Sequence, residues 1–187
     1  ATPASDRISM RQPVSFAARR AFCPSLPMAS DIWSVGTMTV ATLFASSSVT
    51  DEGLAQLIQT QEKLADGFGR KRRTVSIGLY RLPAIDFPVS YELVKRDAAQ
   101  FVPLGMDTVM TLDEILLVHP KGLEFGGILG GHELVPLLRD AKGQVLSFPP
   151  IINSREVGEV RVGDDQLFVE VTGTDLMMVV LTLNILA

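Results

Sequence analysis

Apolar and polar residues alternate along several stretches of this chain, as they do in strands that bury one face. Between positions 74 and 80, Val75, Ile77 and Leu79 alternate with smaller or polar residues. A second alternation runs through positions 167–172, and β-prone residues fill the segment around position 40. These patterns predict strands at 35–46, 74–80, 89–93, 134–138, 144–148 and 167–172.

Helical spacing of apolar residues occurs in three other segments. The first helix is expected to begin after the capping hydroxyl of Thr50 and to end near Gly67. The second begins with the capping-box sequence Thr111-Leu112-Asp113-Glu114 and closes at His119-Pro120. The third begins at Thr174-Asp175, and its apolar residues run all round the helix, which predicts deep burial. Because strands and helices mix without a βαβ rhythm, we expect a sheet-rich α+β fold.

Composition narrows the class of protein. A length of 187 residues suits one domain, and a hydrophobic content of 47% allows a sizeable core. A net charge of −4 argues against RNA binding over the whole surface, so any RNA contact must be local or completed outside this chain. No apolar stretch is long enough to predict a membrane span. The single Cys23 excludes an internal disulfide and a paired-cysteine zinc site, and a reducing cytoplasm is the expected location.

The two ends of the sequence predict a piece of a longer protein. The chain begins at Ala1 rather than Met and ends on the apolar run before Ala187. Four arginines in the first 25 residues are opposed only by Asp6, which favours a basic linker or arm at 1–30 over the alternative of a transit peptide. The main domain is then expected at 31–187.

Several kinds of catalytic chemistry leave no motif in this sequence. It contains no nucleophile elbow, zinc-protease helix, phosphate-binding Walker loop or dinucleotide fingerprint. His119 and His132 stand in turn-like contexts and are interpreted as ordinary loop residues, and no metal-ligand spacing stands out. The basic run Arg70-Lys71-Arg72-Arg73 is interpreted as a solvated helix end.

Polar residues stand out at three places in the chain. Gln61 falls in the centre of the apolar stripe of the first helix, so its amide either ties the helix to the sheet or faces a pocket. Glu170 and Thr172 share one face of an otherwise apolar strand, and that face is either solvated or lines a pocket. Asn153 follows Pro149-Pro150, which should restrict the backbone that positions it.

Five ordered motifs resemble one family. Residues 50–187 resemble the β subunit of phenylalanyl-tRNA synthetase of the archaeal/eukaryotic type, whereas residues 1–48 match it poorly. The motifs are Gln61-Glu62-Lys63-Leu64 with Arg70-Lys71-Arg72-Arg73, Phe101-Val102-Pro103-Leu104-Gly105-Met106, His119-Pro120-Lys121-Gly122, Ser147-Phe148-Pro149-Pro150-Ile151-Ile152-Asn153-Ser154 and Val171-Thr172-Gly173-Thr174-Asp175. The resemblance implies the B3/B4 module, a sheet-rich (PheT-like) β-sandwich of unusual topology with flanking helices.

In this family the module hydrolyses tyrosine wrongly attached to phenylalanine tRNA. The resemblance assigns hydrolysis to the positions of Gln61, Arg72 and Asn153. It assigns recognition of the tyrosine side chain to the positions Leu138, Ser147, Glu170 and Thr172. Archaeal members have Asp where this chain has Glu170, so the carboxylate is kept but reaches about one methylene further.

The resemblance also implies partners. They are mischarged tRNA(Phe), tyrosine, the synthetase α subunit and the remaining β-subunit domains, with no membrane. No cofactor or metal is expected for the chain itself, because ATP and Mg²⁺ would bind elsewhere in the parent enzyme. Two alternatives remain open, namely a non-catalytic structural or RNA-positioning domain of the same synthetase and a free-standing editing factor.

Overall fold

The computed structural model describes residues 37–44 and 49–186, and it describes the side chains of the second range only. The predicted arm at 1–30 and its boundary at residue 31 lie outside the described residues. The strands are β1 (Thr37–Phe44), β2 (Val75–Arg81), β3 (Ser90–Lys95), β4 (Gln100–Phe101), β5 (Met110–Thr111), β6 (Leu134–Arg139), β7 (Val145–Phe148), β8 (Ile152–Asn153) and β9 (Gln166–Gly173). The helices are α1 (Asp51–Asp66), α2 (Leu112–Val118), α3 (Pro120–Phe125), α4 (Arg155–Gly158) and α5 (Leu176–Leu186).

The strands form three antiparallel sheets in the described part of the chain. The first sheet has the order β1-β9-β2, the second β3-β6-β7-β8, and the third pairs β4 with β5. This mixture of helices and antiparallel sheets confirms the predicted α+β class. Each of the six predicted strands corresponds to an observed one.

The first sheet has two chemically different faces because β2 and β9 alternate in step. The apolar residues Val75, Ile77 and Leu79 of β2 pack with Val169 and Val171 of β9 against α1 and α5. On the opposite face, the register pairs Ser76 with Thr172, Gly78 with Glu170 and Tyr80 with Phe168. Directly paired residues of antiparallel strands share a face, so the polar residues are collected on the face opposite this apolar cluster.

The second sheet contributes one continuous row to the centre of the molecule. Its register places Tyr91, Leu138, Ser147 and Asn153 side by side across four strands. Leu138 packs with Tyr80 and Phe168 of the first sheet in a shared cluster. A third cluster lies between the second sheet and helices α2 and α3. The two large sheets therefore meet through Tyr80, Leu138 and Phe168.

The helix starts follow the predicted capping chemistry. The Thr50 hydroxyl accepts a hydrogen bond from the N–H of Gly53, and Thr111 and Glu114 form the predicted capping box. His119 closes α2, but its imidazole also caps α3, a helix that the sequence patterns do not predict. None of the described helices combines the length and apolar character needed to span a membrane.

The predicted deep burial of the last helix is wrong. Asp175 begins α5 as expected, since its carboxylate accepts hydrogen bonds from the N–H groups of Met177 and Met178. However, Met177 is 75% exposed, and Leu176, Leu181 and Ile185 are exposed as well. The contact of α5 with the first sheet is made through Val179 and Leu183, because only one face of a helix can lie against one sheet.

Candidate functional site

A cavity of about 370 Å³ opens where α1, the edge of β2 and the β7–β8 turn meet. Cavities of about 300–1,000 Å³ are typical of small-molecule sites. Its wall is mainly apolar, with Ile58, Leu79 and Pro150 among the lining residues. The polar groups on this wall come from separate elements of the fold, which is the arrangement expected of a binding site.

The fold brings five of the seven predicted site residues to this one cavity. Gln61, Arg72, Ser147, Asn153 and Glu170 all line it.

Leu138 and Thr172 lie behind the wall of the cavity, and both are fully buried. Leu138 is the neighbour of Ser147 on the adjacent strand, and Thr172 follows Glu170 by two positions on β9. Their position allows them to support the lining residues, and their proposed role in recognition stays a prediction.

Two side-chain amides are anchored on the free edge of β2. This strand has one neighbour, β9, within the described sheet. Gln61 of α1 donates through Nε2 to the carbonyl of Ile77 over 2.7 Å, and Asn153 of β8 donates through Nδ2 to the carbonyl of Leu79 over 3.2 Å. Each amide keeps one further N–H and one carbonyl oxygen for other partners. Gln61 thus ties helix to sheet and also lines the cavity, which unites the two interpretations of its position.

A buried phenol, that of Tyr80, lies behind the polar part of the cavity wall. Tyr80 Oη lies 2.9 Å from Ser147 Oγ, 3.0 Å from Glu170 Oε2 and 3.5 Å from Asn153 Oδ1. The Tyr80 ring is fully buried and tilted against Phe168, with 5.7 Å between the ring centroids. Burial and the Glu170 charge raise the pKa of Tyr80 well above its ordinary value, so the phenol keeps its proton and can donate it.

Glu170 is a carboxylate held out of water. The residue is 2% exposed, and this burial raises its pKa from 4.5 to about 7, although the hydroxyls of Tyr80 and Thr172 oppose the shift. The Thr172 hydroxyl nevertheless falls short of hydrogen-bond geometry, so it and Glu170 Oε1 are buried without a partner among the described residues. A buried polar atom without a partner costs about 1–3 kcal/mol, and of these two residues Glu170 is the one that lines the cavity, where a ligand can reach it.

Arg72 is positioned by an unusual turn after α1. Arg70, Lys71 and Arg72 have φ values of 47°, 56° and 63°, which places three consecutive non-glycine residues in the left-handed region. Such a run is disfavoured by roughly 1–2 kcal/mol per residue. Backbone hydrogen bonds from Lys71 and Arg72 to the carbonyls of Asp66 and Ala65 hold the turn in place. The basic run therefore forms a left-handed turn rather than the end of a helix.

The left-handed turn directs Arg72 inward while its basic neighbours Arg70 and Lys71 stay exposed. Arg72 Nη1 donates to the carbonyls of Pro150 and Ile151 over 3.0 and 2.8 Å, and the guanidinium lies 4.4 Å from the ring centroid of Phe125. Burial lowers the pKa of Arg72. Arg72 thus fixes the turn between β7 and β8 and adds positive charge to the cavity wall.

The remaining charged residues of the wall are Glu62, Lys121 and Glu159. Across residues 37–44 and 49–186, no group of three His, Cys, Asp or Glu residues is arranged to hold a metal ion. His119 is not a cavity residue: its Nδ1 accepts from the N–H of Lys121, and its Nε2 lies 3.3 Å from the carbonyl of Leu104.

Sequence reasoning missed Tyr80 and Gly78. A Cβ placed on Gly78 would collide with Tyr80 Oη and Glu170 Oε2, so only glycine leaves room for this hydrogen-bond network. The available signal was a glycine inside a strand, two residues before a tyrosine on the same face.

The chain is similar to the β subunits of phenylalanine–tRNA ligases. It is 40% identical over 166 residues to the subunit from Borrelia turicatae, covering 89% of this chain and 29% of that relative. It is 47% identical over 144 residues to the Borrelia duttonii subunit and 45% identical over 141 residues to that of Treponema pallidum, covering 76% and 75% of this chain. The chain spans 25% and 23% of those two relatives. No protein-family model matches the sequence.

A solved structure shares the fold as well as the sequence. This is an N-terminal fragment of the phenylalanyl-tRNA synthetase β subunit from Pyrococcus horikoshii, with a TM-score of 0.75 and 41% identity. The likeness covers 80% of this chain and 42% of that fragment. The chain is therefore homologous to a segment of these β subunits.

Proposed function

We propose that this chain is the B3/B4 editing domain of a phenylalanyl-tRNA synthetase β subunit of the archaeal/eukaryotic type. Its activity is the hydrolysis of tyrosine from mischarged tRNA(Phe). The observation that carries the proposal is the shared cavity, in which buried Glu170 and Ser147 lie beside the amides of Gln61 and Asn153. The 41% identity to the Pyrococcus horikoshii fragment supports the assignment to the archaeal/eukaryotic type.

Rejection of tyrosine requires a site that demands its hydroxyl. A hydrophobic pocket cannot strongly exclude a substrate that merely adds a hydroxyl, and the discrimination that such a pocket reaches is only about a hundredfold. A second site can read the hydroxyl positively, because phenylalanine would leave its buried polar groups unpaired. Glu170, which lines the cavity, has such an unpaired atom in its Oε1. A bound phenol that donates to Glu170 would remove part of this penalty.

Hydrolysis of an aminoacyl ester needs orientation more than a protein nucleophile, since the tRNA ribose is a good leaving group. The amides of Gln61 and Asn153 are held by carbonyls two residues apart on β2. Their remaining N–H groups would stabilise the oxyanion and orient a water. Arg72 would maintain the turn next to Asn153 and attract the phosphate or terminal ribose of the tRNA end.

The proposal places the chain in a larger assembly. The α subunit, the remaining β-subunit domains, ATP and Mg²⁺ would supply aminoacylation, which this chain would not perform alone. The lone cysteine suits a cytoplasmic location. An RNA-positioning domain without hydrolysis remains the alternative outcome.

Deacylation of Tyr-tRNA(Phe) by the purified protein tests the proposal. We expect hydrolysis that falls at least about tenfold in Gln61→Ala and in Asn153→Ala, because each removes an oriented amide. The matched controls are Gln59→Ala, at an exposed position of α1, and Asn184→Ala, at an exposed position of α5. Undiminished deacylation in both site variants would sink the catalytic assignment. Binding of tRNA(Phe) without hydrolysis by the unmodified protein would favour the RNA-positioning alternative.

A further inference from the structure

Tyr80 contacts both the proposed recognition groups and a proposed hydrolytic group. Its hydroxyl reaches Ser147, Glu170 and Asn153, which come from three different strands. The ring itself packs in the cluster between the two sheets, where it has no freedom to leave without disrupting Phe168 and Leu138. The phenol thus holds a fixed position behind the cavity wall, in contact with three residues that line it.

The number of protons available determines the direction of each hydrogen bond around Tyr80. Tyr80 has one O–H, and the carboxylate of Glu170 accepts more strongly than a neutral hydroxyl, so the phenol donates to Oε2. Ser147 then donates its own proton to Tyr80 Oη over 2.9 Å. Both Ser147 and Glu170 are held by these bonds, while Glu170 Oε1 keeps its acceptor capacity.

The strand around Tyr80 is shaped for this contact. Gly78 stands two residues earlier on the same face and directly opposite Glu170. Any side chain there would collide with Tyr80 Oη and Glu170 Oε2. The sequence Gly78-Leu79-Tyr80 therefore delivers an internal phenol to the carboxylate that is proposed to read a substrate phenol.

We propose that Tyr80 is a specificity-determining positioning residue, which holds Glu170 and Ser147 in the orientation that reads the hydroxyl of a tyrosyl group. This inference rests on the proposed function. Without the Tyr80 hydroxyl, Glu170 would lose the donor that fixes its Oε2 and could turn within the wall, and Ser147 would lose the acceptor that orients it. The preference of the site for a tyrosyl group over a phenylalanyl group would then be smaller.

The test compares kcat/KM for deacylation of Tyr-tRNA(Phe) and Phe-tRNA(Phe) by the full chain. In Tyr80→Phe we expect the tyrosine-to-phenylalanine ratio to fall about tenfold, as for loss of a hydrogen bond to a charged group. Gly78→Ala should lower the ratio as well, because it displaces the same phenol. Thr182→Val is the matched control, since it removes a buried hydroxyl on α5 that does not line the cavity.

A pH profile separates positioning from a general loss of folding. The hydrogen bond from Tyr80 lowers the pKa of Glu170, so the pH at which selectivity is half-lost should move upward in Tyr80→Phe. The other phenol near Glu170 is that of Tyr91, whose pKa is raised by burial and then by the Glu170 charge, so it stays neutral. The charged groups on the cavity wall are Glu62, Arg72, Lys121 and Glu159.

The outcomes distinguish the two proposals. If the unmodified protein shows no preference for Tyr-tRNA(Phe), the proposed function falls and this inference falls with it. If the preference exists but Tyr80→Phe keeps both the ratio and its pH midpoint, only the role of Tyr80 is refuted. If Thr182→Val lowered the tyrosine-to-phenylalanine ratio as much as Tyr80→Phe does, the role of Tyr80 would also be refuted, since any buried hydroxyl would then have the same effect.

Discussion

Replacement of Glu170 by Gln should stabilise the protein at alkaline pH. Glu170 is fully buried and its pKa is raised to about 7, so ionisation above that pH opposes folding. Glutamine keeps the shape of the side chain and an oxygen that can accept from Tyr80, but it has no charge to bury. The substitution therefore isolates the free energy of keeping a carboxylate at this position.

The magnitude follows from the two pKa values. The group titrates at about 7 in the folded protein and at 4.5 when unperturbed, and one pH unit corresponds to about 1.4 kcal/mol, which gives about 3 kcal/mol. Below pH 4.5 both states are protonated and the stability associated with the neutral group is fully present. It is lost as pH rises towards 7 and stays lost above it. Glu170→Gln should thus exceed the unmodified protein by about 3 kcal/mol at about pH 8 and match it near pH 4.5.

Urea unfolding followed by far-ultraviolet circular dichroism at intervals from about pH 5 to about pH 8 measures this difference. The control is Glu133→Gln, since Glu133 is an exposed carboxylate that pairs with Lys95 on the surface, and its effect should be small at every pH. A gap between Glu170→Gln and the unmodified protein that stays constant over this range would refute the reasoning. Greater stability of the unmodified protein at the alkaline end would do the same.

Three further predictions concern the cavity wall and the turn after α1. Arg72→Lys should destabilise the protein by about 1–2 kcal/mol in urea unfolding, because an ammonium cannot reproduce the guanidinium hydrogen bonds and ring contact; equal stability would contradict this. Gly158→Ala should cost about 1–3 kcal/mol and reduce deacylation, because its Cβ would lie 2.5 Å from Asn153 Cβ, and unchanged activity would count against the packing argument. Lys71→Gly should raise the stability by up to about 1 kcal/mol in thermal melting, since glycine adopts its φ of 56° without strain; a lower melting temperature would show that the side chain stabilises the turn.

The fold class and the polar face of the first sheet could be predicted because they depend on local periodicity. Alternation in β2 and β9 predicts which residues share a face, whatever the partner of that face is. The same logic identifies Glu170 as a polar residue in an apolar strand, and the structure places it in the cavity wall. Capping at Thr50 and Thr111 is predictable for the same reason, since the hydrogen bonds span three residues.

Features that depend on distant partners could not be predicted from the pattern. The periodicity of α5 gives its apolar character but not the number of elements that cover it, and the first sheet covers one face. The inward direction of Arg72 depends on a left-handed turn and on hydrogen bonds to Pro150 and Ile151, which lie far along the chain. Tyr80 enters the pattern only as one position of an alternating strand, although its hydroxyl links strands that are far apart in sequence.

Three unfavourable features converge on one cavity. A buried carboxylate opposes folding at neutral pH, its Oε1 has no hydrogen-bond partner among the described residues, and a left-handed turn holds Arg72. Each would be removed easily by substitution if stability alone determined the sequence. Their common location is best explained by a ligand that donates a hydrogen bond to the carboxylate and enters past the basic turn. The proposed substrate, an aminoacylated RNA end that carries a phenol, would have both properties.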